Sequence, residues 1–119
     1  MIDGEDKLYI VNDWLARGSL RDLLKKENKD KDKKVGLPLV QVKHYLRDML
    51  KALSYCHQKG VFHLDFKPEN IMINKYNQAI LTNFGFSVML RSDEIINTAI
   101  SSLVFFAPEM FSNEGALKE

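Results

Sequence analysis

Hydrophobic residues recur at helical spacing along one stretch in the middle of the chain. After Pro38 they stand at Leu39, Val42, Leu46, Met49, Leu50, Leu53 and Cys56. Charged residues fill the positions between them, so the pattern predicts an amphipathic helix with one apolar face. Gly60 follows where a glycine favours the end of a helix. We therefore expect a helix of about five turns that ends just before Gly60.

Two shorter elements are predicted upstream of this helix. Residues 7–12 are rich in aliphatic and aromatic side chains, which favours a strand. Ser19 is followed three positions later by Asp22, a variant of the capping box, and a short helix is expected over about 19–27. The chain then becomes almost entirely charged, up to about residue 34. Such a stretch has no apolar surface to bury and is expected to be a solvated linker.

A β-hairpin is predicted downstream of the long helix. The apolar runs 71–73 and 79–82 are separated by the polar residues 74–78, which is the pattern of two strands joined by a turn. Pairing of these strands would bring Asn70 and Asn83 to neighbouring strand ends.

Composition and charge restrict the class of protein. The chain has 119 residues and is 45% hydrophobic, which is enough for one domain with a core but too little for two. Its net charge is only +1, so we expect neither nucleic acid nor membrane as a partner. A single cysteine and the lack of signal-peptide features indicate an intracellular, cytoplasmic protein. One cysteine and scattered histidines are also too few for a zinc site.

Residues 63–70 carry side chains suited to phosphoryl transfer. They read His-Leu-Asp-Phe-Lys-Pro-Glu-Asn. The carboxylate of Asp65 could accept the proton of an attacking hydroxyl, and Lys67 could neutralise charge on the transferring group. The amide oxygen of Asn70 could bind a hard cation. A chance loop of common polar residues is the alternative interpretation.

Two further motifs follow in order, Asn83-Phe84-Gly85 and Ala107-Pro108-Glu109. The ordered trio resembles the protein kinase family, whose pattern is His-Arg-Asp-x-Lys-x-x-Asn, then Asp-Phe-Gly, then Ala-Pro-Glu. The resemblance implies an α+β protein kinase-like fold, present here in part, and transfer of the terminal phosphate of ATP to a protein hydroxyl. Lysine two residues after the aspartate is the pattern of serine/threonine-directed members.

The resemblance also implies roles for individual residues. Asp65 would be the catalytic base, Lys67 would contact the terminal phosphate, and Asn70 and Asn83 would hold Mg²⁺. The strand at the start of the chain resembles the segment that joins the two kinase lobes. By that resemblance, the backbone of Asp13 and Leu15 binds the adenine of ATP and Met72 packs beneath the ring. The expected partner is a protein, either a substrate or a binding partner.

Two departures from the family pattern leave a second interpretation open. Asn83 replaces an aspartate, so both expected metal ligands are neutral amides, whereas Mg²⁺ usually has one or two carboxylates. Leu64 replaces an arginine that grips a phosphorylated activation segment in many relatives. On this alternative the chain is a pseudokinase that acts as a binding or scaffold module. Asn83-Phe84-Gly85 would then persist for packing, with Phe84 in the core beneath the long helix.

The resemblance divides the chain into parts of one partial kinase-like domain, residues 1–119. They are the strand and lobe linker (1–15), two helices with a charged linker at 25–37 (16–60), the catalytic loop and hairpin (61–85), and the activation segment to Ala-Pro-Glu (86–119). The last part contains Ser102, which matches a family hydroxyl that contacts the catalytic aspartate. We expect the chain to be a piece of a kinase domain whose long helix has a partly exposed apolar face.

Overall fold

The computed structural model describes residues 2–4, 7–28, 36–91 and 103–105. Its regular elements are the strands β1 (Ile2–Gly4) and β2 (Lys7–Tyr9), the helices α1 (Leu20–Glu27) and α2 (Leu39–Gln58), and the strands β3 (Val61–Phe62), β4 (Ile71–Ile73), β5 (Ala79–Leu81) and β6 (Val88–Met89). Single turns of 3₁₀ helix span Pro68–Asn70, Phe84–Phe86 and Leu103–Phe105. Helices and small antiparallel sheets together confirm the α+β class.

Helix α1 begins at the predicted capping box. The hydroxyl oxygen of Ser19 accepts a hydrogen bond from the backbone N–H of Asp22 at 3.1 Å, and the Asp22 carboxylate accepts one from the Ser19 backbone N–H at 3.0 Å. The two residues thus satisfy backbone donors that the first turn would otherwise leave without partners. Helix α1 ends at Glu27 as predicted, and most of the charged linker, residues 29–35, lies outside the described residues.

Helix α2 has the predicted length, but only part of its predicted apolar face is buried. Its buried residues are Tyr45, which is 1% exposed, and Met49, with Leu53 packed beside them. Leu46 and Leu50 belong to the predicted apolar face, yet they are largely exposed. The predicted apolar face did not include Tyr45, which lies one turn before Met49 and therefore on the same side of the helix. The predicted partial exposure of an apolar face is confirmed.

The hairpin of β4 and β5 is confirmed and forms the other side of the core. Ile71 pairs with Leu81, and Ile73 pairs with Ala79. Because side chains alternate across a strand, these four residues point to one face, and all four are buried. They pack with Tyr45 and Met49 of α2 in one hydrophobic cluster. This cluster holds the start of β4, which follows Asn70, and the end of β5, which precedes Asn83 by two residues.

Polar contacts fix the hairpin turn to the rest of the fold. The Tyr45 hydroxyl donates to Oδ1 of Asn77 at 2.7 Å, and Arg17 donates to the same oxygen at 2.6 Å. The backbone N–H of Ala79 donates to the Asp48 carboxylate at 3.0 Å. Asn77 itself has a positive φ of 64°, a conformation that asparagine tolerates better than most residues. The turn is therefore joined both to α2 and to the segment before α1.

Two pairings of strands differ from the sequence-based expectation. The predicted strand over 7–12 is only Lys7–Tyr9, because its partner β1 has three residues and the register ends at the pair Ile2 and Tyr9. Strand β3 pairs antiparallel with β6, with Phe62 opposite Val88. The extended conformation of Val61 and Phe62 agrees with the sequence-based expectation, whereas β6 and the pairing of the two strands were not predicted, since two residues show no pattern of their own.

Among the four glycines whose surroundings the structure describes, Gly60 should be the least able to accept a side chain. It has a φ of +71°, and a Cβ added there would lie 2.8 Å from the backbone oxygen of Leu90. We predict that Gly60→Ala lowers the free energy of unfolding of the full-length protein in urea by about 1–2 kcal/mol or more. Gly36→Ala is the matched control, because a Cβ at Gly36 meets nothing within 4 Å. Equal losses in the two variants would contradict the prediction.

Candidate functional site

The loop at residues 63–70 begins after β3 and delivers its last residue to the start of β4. Pro68 opens a single 3₁₀ turn, where its fixed φ suits the first position. The turn is closed by the backbone N–H of Asn70, which donates to the carbonyl of Lys67 at 2.9 Å. Asn70 is thereby held directly before β4, whose first residue, Ile71, is in the core.

His63 anchors the start of the loop. Its ring is buried and its Nε2 lies 2.9 Å from the carbonyl oxygen of Thr82, at the end of the hairpin. Its Nδ1 accepts a hydrogen bond from the backbone N–H of Asp65 at 3.2 Å. Because Nδ1 is the acceptor, the proton is on Nε2, which donates to Thr82. Sequence reasoning assigned His63 no contact of its own.

Leu64 connects these two buried residues with an unusual backbone. Its φ is +61°, in the left-handed region that a bulky residue rarely adopts. Such a conformation costs about 1–3 kcal/mol and persists only where the surroundings hold it. Here both neighbours of Leu64 are buried, so the strain is the consequence of placing His63 and Asp65 inside the loop in succession.

Asp65, Lys67 and Asn70 form one hydrogen-bonded cluster. Asp65 is 3% exposed. Its Oδ2 lies 2.8 Å from the ammonium nitrogen of Lys67 and accepts a hydrogen bond of 2.7 Å from Nδ2 of Asn70. The same Nδ2 also donates to the backbone oxygen of Asp65 at 2.7 Å. Burial of a carboxylate is costly unless it is paired, and charge-assisted contacts of this kind are the strong ones.

Asn83 joins this cluster from the far strand of the hairpin. Its Nδ2 donates to Oδ1 of Asn70 at 3.0 Å. The backbone oxygen of Asn70 accepts from both the N–H and the hydroxyl of Thr82, at 2.9 and 3.0 Å. The hairpin therefore brings together two residues that are thirteen positions apart in sequence. Asn83 has φ 62° and ψ 66°, a left-handed conformation that suits asparagine.

Phe84 does not have the core position that the pseudokinase interpretation gave it. It is 44% exposed, and its ring meets the edge of the His63 ring at a centroid distance of 4.8 Å. The prediction that Phe84 fills the core beneath the long helix is therefore wrong. From the left-handed Asn83 the chain passes into the turn Phe84–Phe86 at the rim of the loop, and the core below α2 is filled by the hairpin residues instead.

An ion pair connects helix α1 to the loop. Arg21 donates from Nη1 to Oε1 of Glu69, across 48 residues of sequence. A hydrogen bond from its own backbone N–H holds the pKa of Glu69 below its ordinary value, and Arg21 lowers that pKa further while desolvation opposes both. Nothing in the local sequence pairs residues so far apart, so sequence reasoning missed this contact.

The residues predicted to contact adenine lie on two segments that meet at Gly18 and Ser19. Asp13 is exposed, and the carbonyl of Leu15 accepts from the N–H of Gly18 at 3.4 Å. Met72 forms an isolated antiparallel bridge with Ser19. The end of the predicted lobe linker is thus attached to the strand that carries Met72, while the adenine contacts themselves stay a prediction.

The two amides, as they are arranged, do not fit a magnesium ion held between their oxygens. Oδ1 of Asn70 already accepts the Asn83 amide hydrogen bond. Oδ1 of Asn83 lies on the side of Gly85, where an added Cβ would be 3.4 Å away. Mg²⁺ favours carboxylates and demands near-ideal octahedral geometry. Within the described residues, moreover, no group of three or more His, Cys, Asp or Glu side chains could hold a metal ion.

Other predicted features fall partly or wholly outside the described residues. Ser102 and the motif Ala107-Pro108-Glu109 are among those that the structure does not describe. Within the segment predicted to be the activation segment, the Ser87 hydroxyl donates to the backbone oxygen of His63 at 3.4 Å. In the part of the chain that is described, no helix is both long and apolar enough to cross a membrane.

Comparison with known proteins gives matches over the whole chain. The family model described as protein kinase domain matches residues 1–119. CBL-interacting protein kinase 24 of Oryza sativa subsp. japonica is 28% identical over 116 residues, which are 97% of this chain and 24% of that protein. CBL-interacting serine/threonine-protein kinase 9 of Arabidopsis thaliana is 30% identical over 112 residues, 92% of this chain and 24% of the relative. The chain thus spans about a quarter of the length of these curated relatives.

The lowered pKa of Glu69, caused first by its backbone hydrogen bond and then by Arg21, should make the stability of the fold sensitive to acid. A carboxyl group whose pKa is lower in the folded than in the unfolded state stabilises the folded state at pH values above its ordinary pKa, which is 4.5 for Glu69. This contribution is lost as the pH falls through the pKa of the folded state. We predict that the difference in unfolding free energy between the wild type and Glu69→Gln is constant above about pH 5.5 and shrinks below pH 4.5.

Denaturant unfolding of the full-length protein as a function of pH measures this difference. In an Arg21→Ala background the same comparison should give a smaller difference, because one of the groups that lower the Glu69 pKa has been removed. A wild-type difference that is unchanged down to about pH 3 would contradict the assignment.

Proposed function

Because the chain belongs to the protein kinase family, we propose that it is the catalytic-loop part of a serine/threonine protein kinase domain. The proposed reaction is transfer of the terminal phosphate of ATP to a protein hydroxyl. Family membership rests on the match over residues 1–119, and one of the two relatives described above is named as a serine/threonine-protein kinase. The observation that carries the proposal is the cluster in which Asp65 meets Lys67 at 2.8 Å and Asn70 at 2.7 Å.

In this proposal Asp65 is the catalytic base. The hydroxyl of the protein substrate gives its proton to the Asp65 carboxylate while its oxygen forms a bond to the terminal phosphorus of ATP, and the bond from that phosphorus to ADP breaks. The contacts to Lys67 and Asn70 support the role, since they hold the carboxylate in one orientation before substrate arrives. Little reorganisation is then needed during the reaction.

Lys67 is proposed to stabilise the charge that moves with the phosphoryl group. Its side chain is 18% exposed, and its ammonium contacts the carboxylate of the proposed base. Phosphoryl transfer spreads negative charge over the equatorial oxygens of the transition state, and a fixed cation beside the base opposes that charge at little entropic cost. The short spacing of Asp65 and Lys67 in sequence supports this pairing, because the two side chains belong to one ordered loop.

ATP is the proposed ligand, with its adenine at the linker. The backbone of Asp13 and Leu15 and the side chain of Met72 are the proposed contacts. The attachment of the linker end to β4 supports this arrangement: the N–H of Ile73 donates to the carbonyl of Gly18 at 2.9 Å. A protein substrate or partner completes the proposal, in an intracellular setting; the relatives are themselves named as CBL-interacting kinases.

A pseudokinase with a binding or scaffold role is the second candidate. The observation that favours it is the hydrogen bond between Asn83 and Asn70, which takes up an oxygen expected to bind metal. No carboxylate stands at position 83 to compensate. A unit charge about 4 Å from a cation is worth on the order of 4 kcal/mol at an effective dielectric constant of about 20, so its loss can suppress turnover without disturbing the fold.

Asp65→Asn separates the two candidates. In the kinase proposal it lowers phosphate transfer from labelled ATP to a serine/threonine peptide library by about 10²–10⁴-fold, because the proton acceptor is lost. Glu27→Gln is the matched control, an exposed carboxyl-to-amide change at the end of α1, and should leave transfer unchanged. If the full-length wild type binds ATP, and neither it nor the two variants transfers phosphate to the peptides, the result would instead support the pseudokinase.

A further inference from the structure

The orientation of the Asn70 amide is fixed by its neighbours. Its Nδ2 lies 2.7 Å from two atoms of Asp65, the backbone oxygen and Oδ2. Both are acceptors, so only the amino group of Asn70 can face them. An amide turned the other way would place its oxygen against two oxygens in a buried site. Oδ1 of Asn70 must therefore point away from Asp65.

The orientation of Asn70 in turn fixes that of Asn83. Oδ1 of Asn70 has only lone pairs to offer, and the group 3.0 Å from it belongs to Asn83. That group has to be the amino group, since two facing oxygens would repel each other. Asn70 is buried and Asn83 is exposed, so the contact is shielded from water on the Asn70 side. Asp65, Asn70 and Asn83 thus form a chain of hydrogen bonds in which every amide has one possible direction.

An aspartate at position 83 would break this chain. It is the residue of the family pattern Asp-Phe-Gly, and its carboxylate can only accept. Placed where the Asn83 amino group lies, a carboxylate oxygen would face Oδ1 of Asn70 at about hydrogen-bond distance. Two oxygens at that separation need a cation or a proton between them. The asparagine supplies a hydrogen-bond donor at the same place.

We propose that the amino group of Asn83 takes the place of a cation that would otherwise bridge positions 70 and 83. The site is then complete without divalent metal, and nucleotide binding by the wild type does not depend on Mg²⁺. This second statement rests on the proposed function for its ligand, whereas the first does not.

Asn83→Asp tests this proposal without requiring a change of the backbone at position 83. Its left-handed conformation is accessible to both asparagine and aspartate. The two side chains have nearly the same shape, so the substitution exchanges a donor for a charged acceptor and little else. Gln78→Glu is the matched control: it makes the same amide-to-carboxylate change on the exposed hairpin turn, where Oε1 of Gln78 accepts from Asn74 and a carboxylate can do the same.

Thermal unfolding of the full-length protein with MgCl₂ or with chelator tests the first statement. The wild type and Gln78→Glu should each unfold at the same temperature in both solutions, within about 1 °C. The unfolding temperature of Asn83→Asp should be lower in chelator than in MgCl₂, by about 2–4 °C or more. A wild-type midpoint that rises with MgCl₂ as much as that of the variant overturns the inference, as does a variant that MgCl₂ leaves unchanged.

Titration with ADP tests the second statement and remains decisive if the variant fails to fold. The wild-type affinity for ADP should differ by less than about threefold between MgCl₂ and chelator, while that of Asn83→Asp should increase by about tenfold or more with MgCl₂. A tenfold gain in the wild type overturns the inference whatever the variant does. Failure of the wild type to bind ADP in either solution counts against the proposed function, and the thermal comparison then decides the inference alone.

Discussion

The site depends on how one buried carboxylate is satisfied. Asp65 lies inside the loop, where an ionised group without partners would destabilise the fold by several kcal/mol. Lys67 supplies the opposite charge, and Asn70 supplies two hydrogen bonds to the same residue. The amino group of Asn83 then donates to Oδ1 of Asn70, so the orientation of Asn70 sets that of Asn83. A set of residues suited to phosphoryl transfer is thus also the solution to an electrostatic problem within the loop.

The surrounding fold holds these residues at their places. The strand ends that carry Asn70 and Asn83 belong to a hairpin whose inner face packs on Tyr45 and Met49 of α2. Tyr45 also reaches Asn77 in the hairpin turn, so the helix grips the hairpin through apolar and polar contacts alike. Displacement of α2 would therefore be expected to loosen the loop, although α2 itself contributes no residue to the cluster.

The sequence predicted the parts of this molecule that rest on local patterns. The capping box of α1, the extent of α2 and the hairpin each show in a few adjacent residues, and the family motifs marked Asp65, Lys67, Asn70 and Asn83 in advance. Contacts between distant residues were missed. The ion pair of Arg21 with Glu69 and the pairing of β3 with β6 leave no local signal. The burial of Tyr45 was not predicted, because a side chain with a hydroxyl was not counted as part of the apolar face of α2.

The direction of the hydrogen bonds from Asp65 to Asn83 is the central claim, and side-chain amide NMR of the full-length protein measures it most directly. The amino protons of the buried Asn70 should exchange slowly with water and should respond most strongly to Asp65→Asn, and those of Asn83, which is exposed, should be protected by their hydrogen bond to Asn70. Those of the exposed Asn12 should exchange rapidly and serve as the internal reference. Rapid exchange at both Asn70 and Asn83 would show that the chain of hydrogen bonds does not exist in solution.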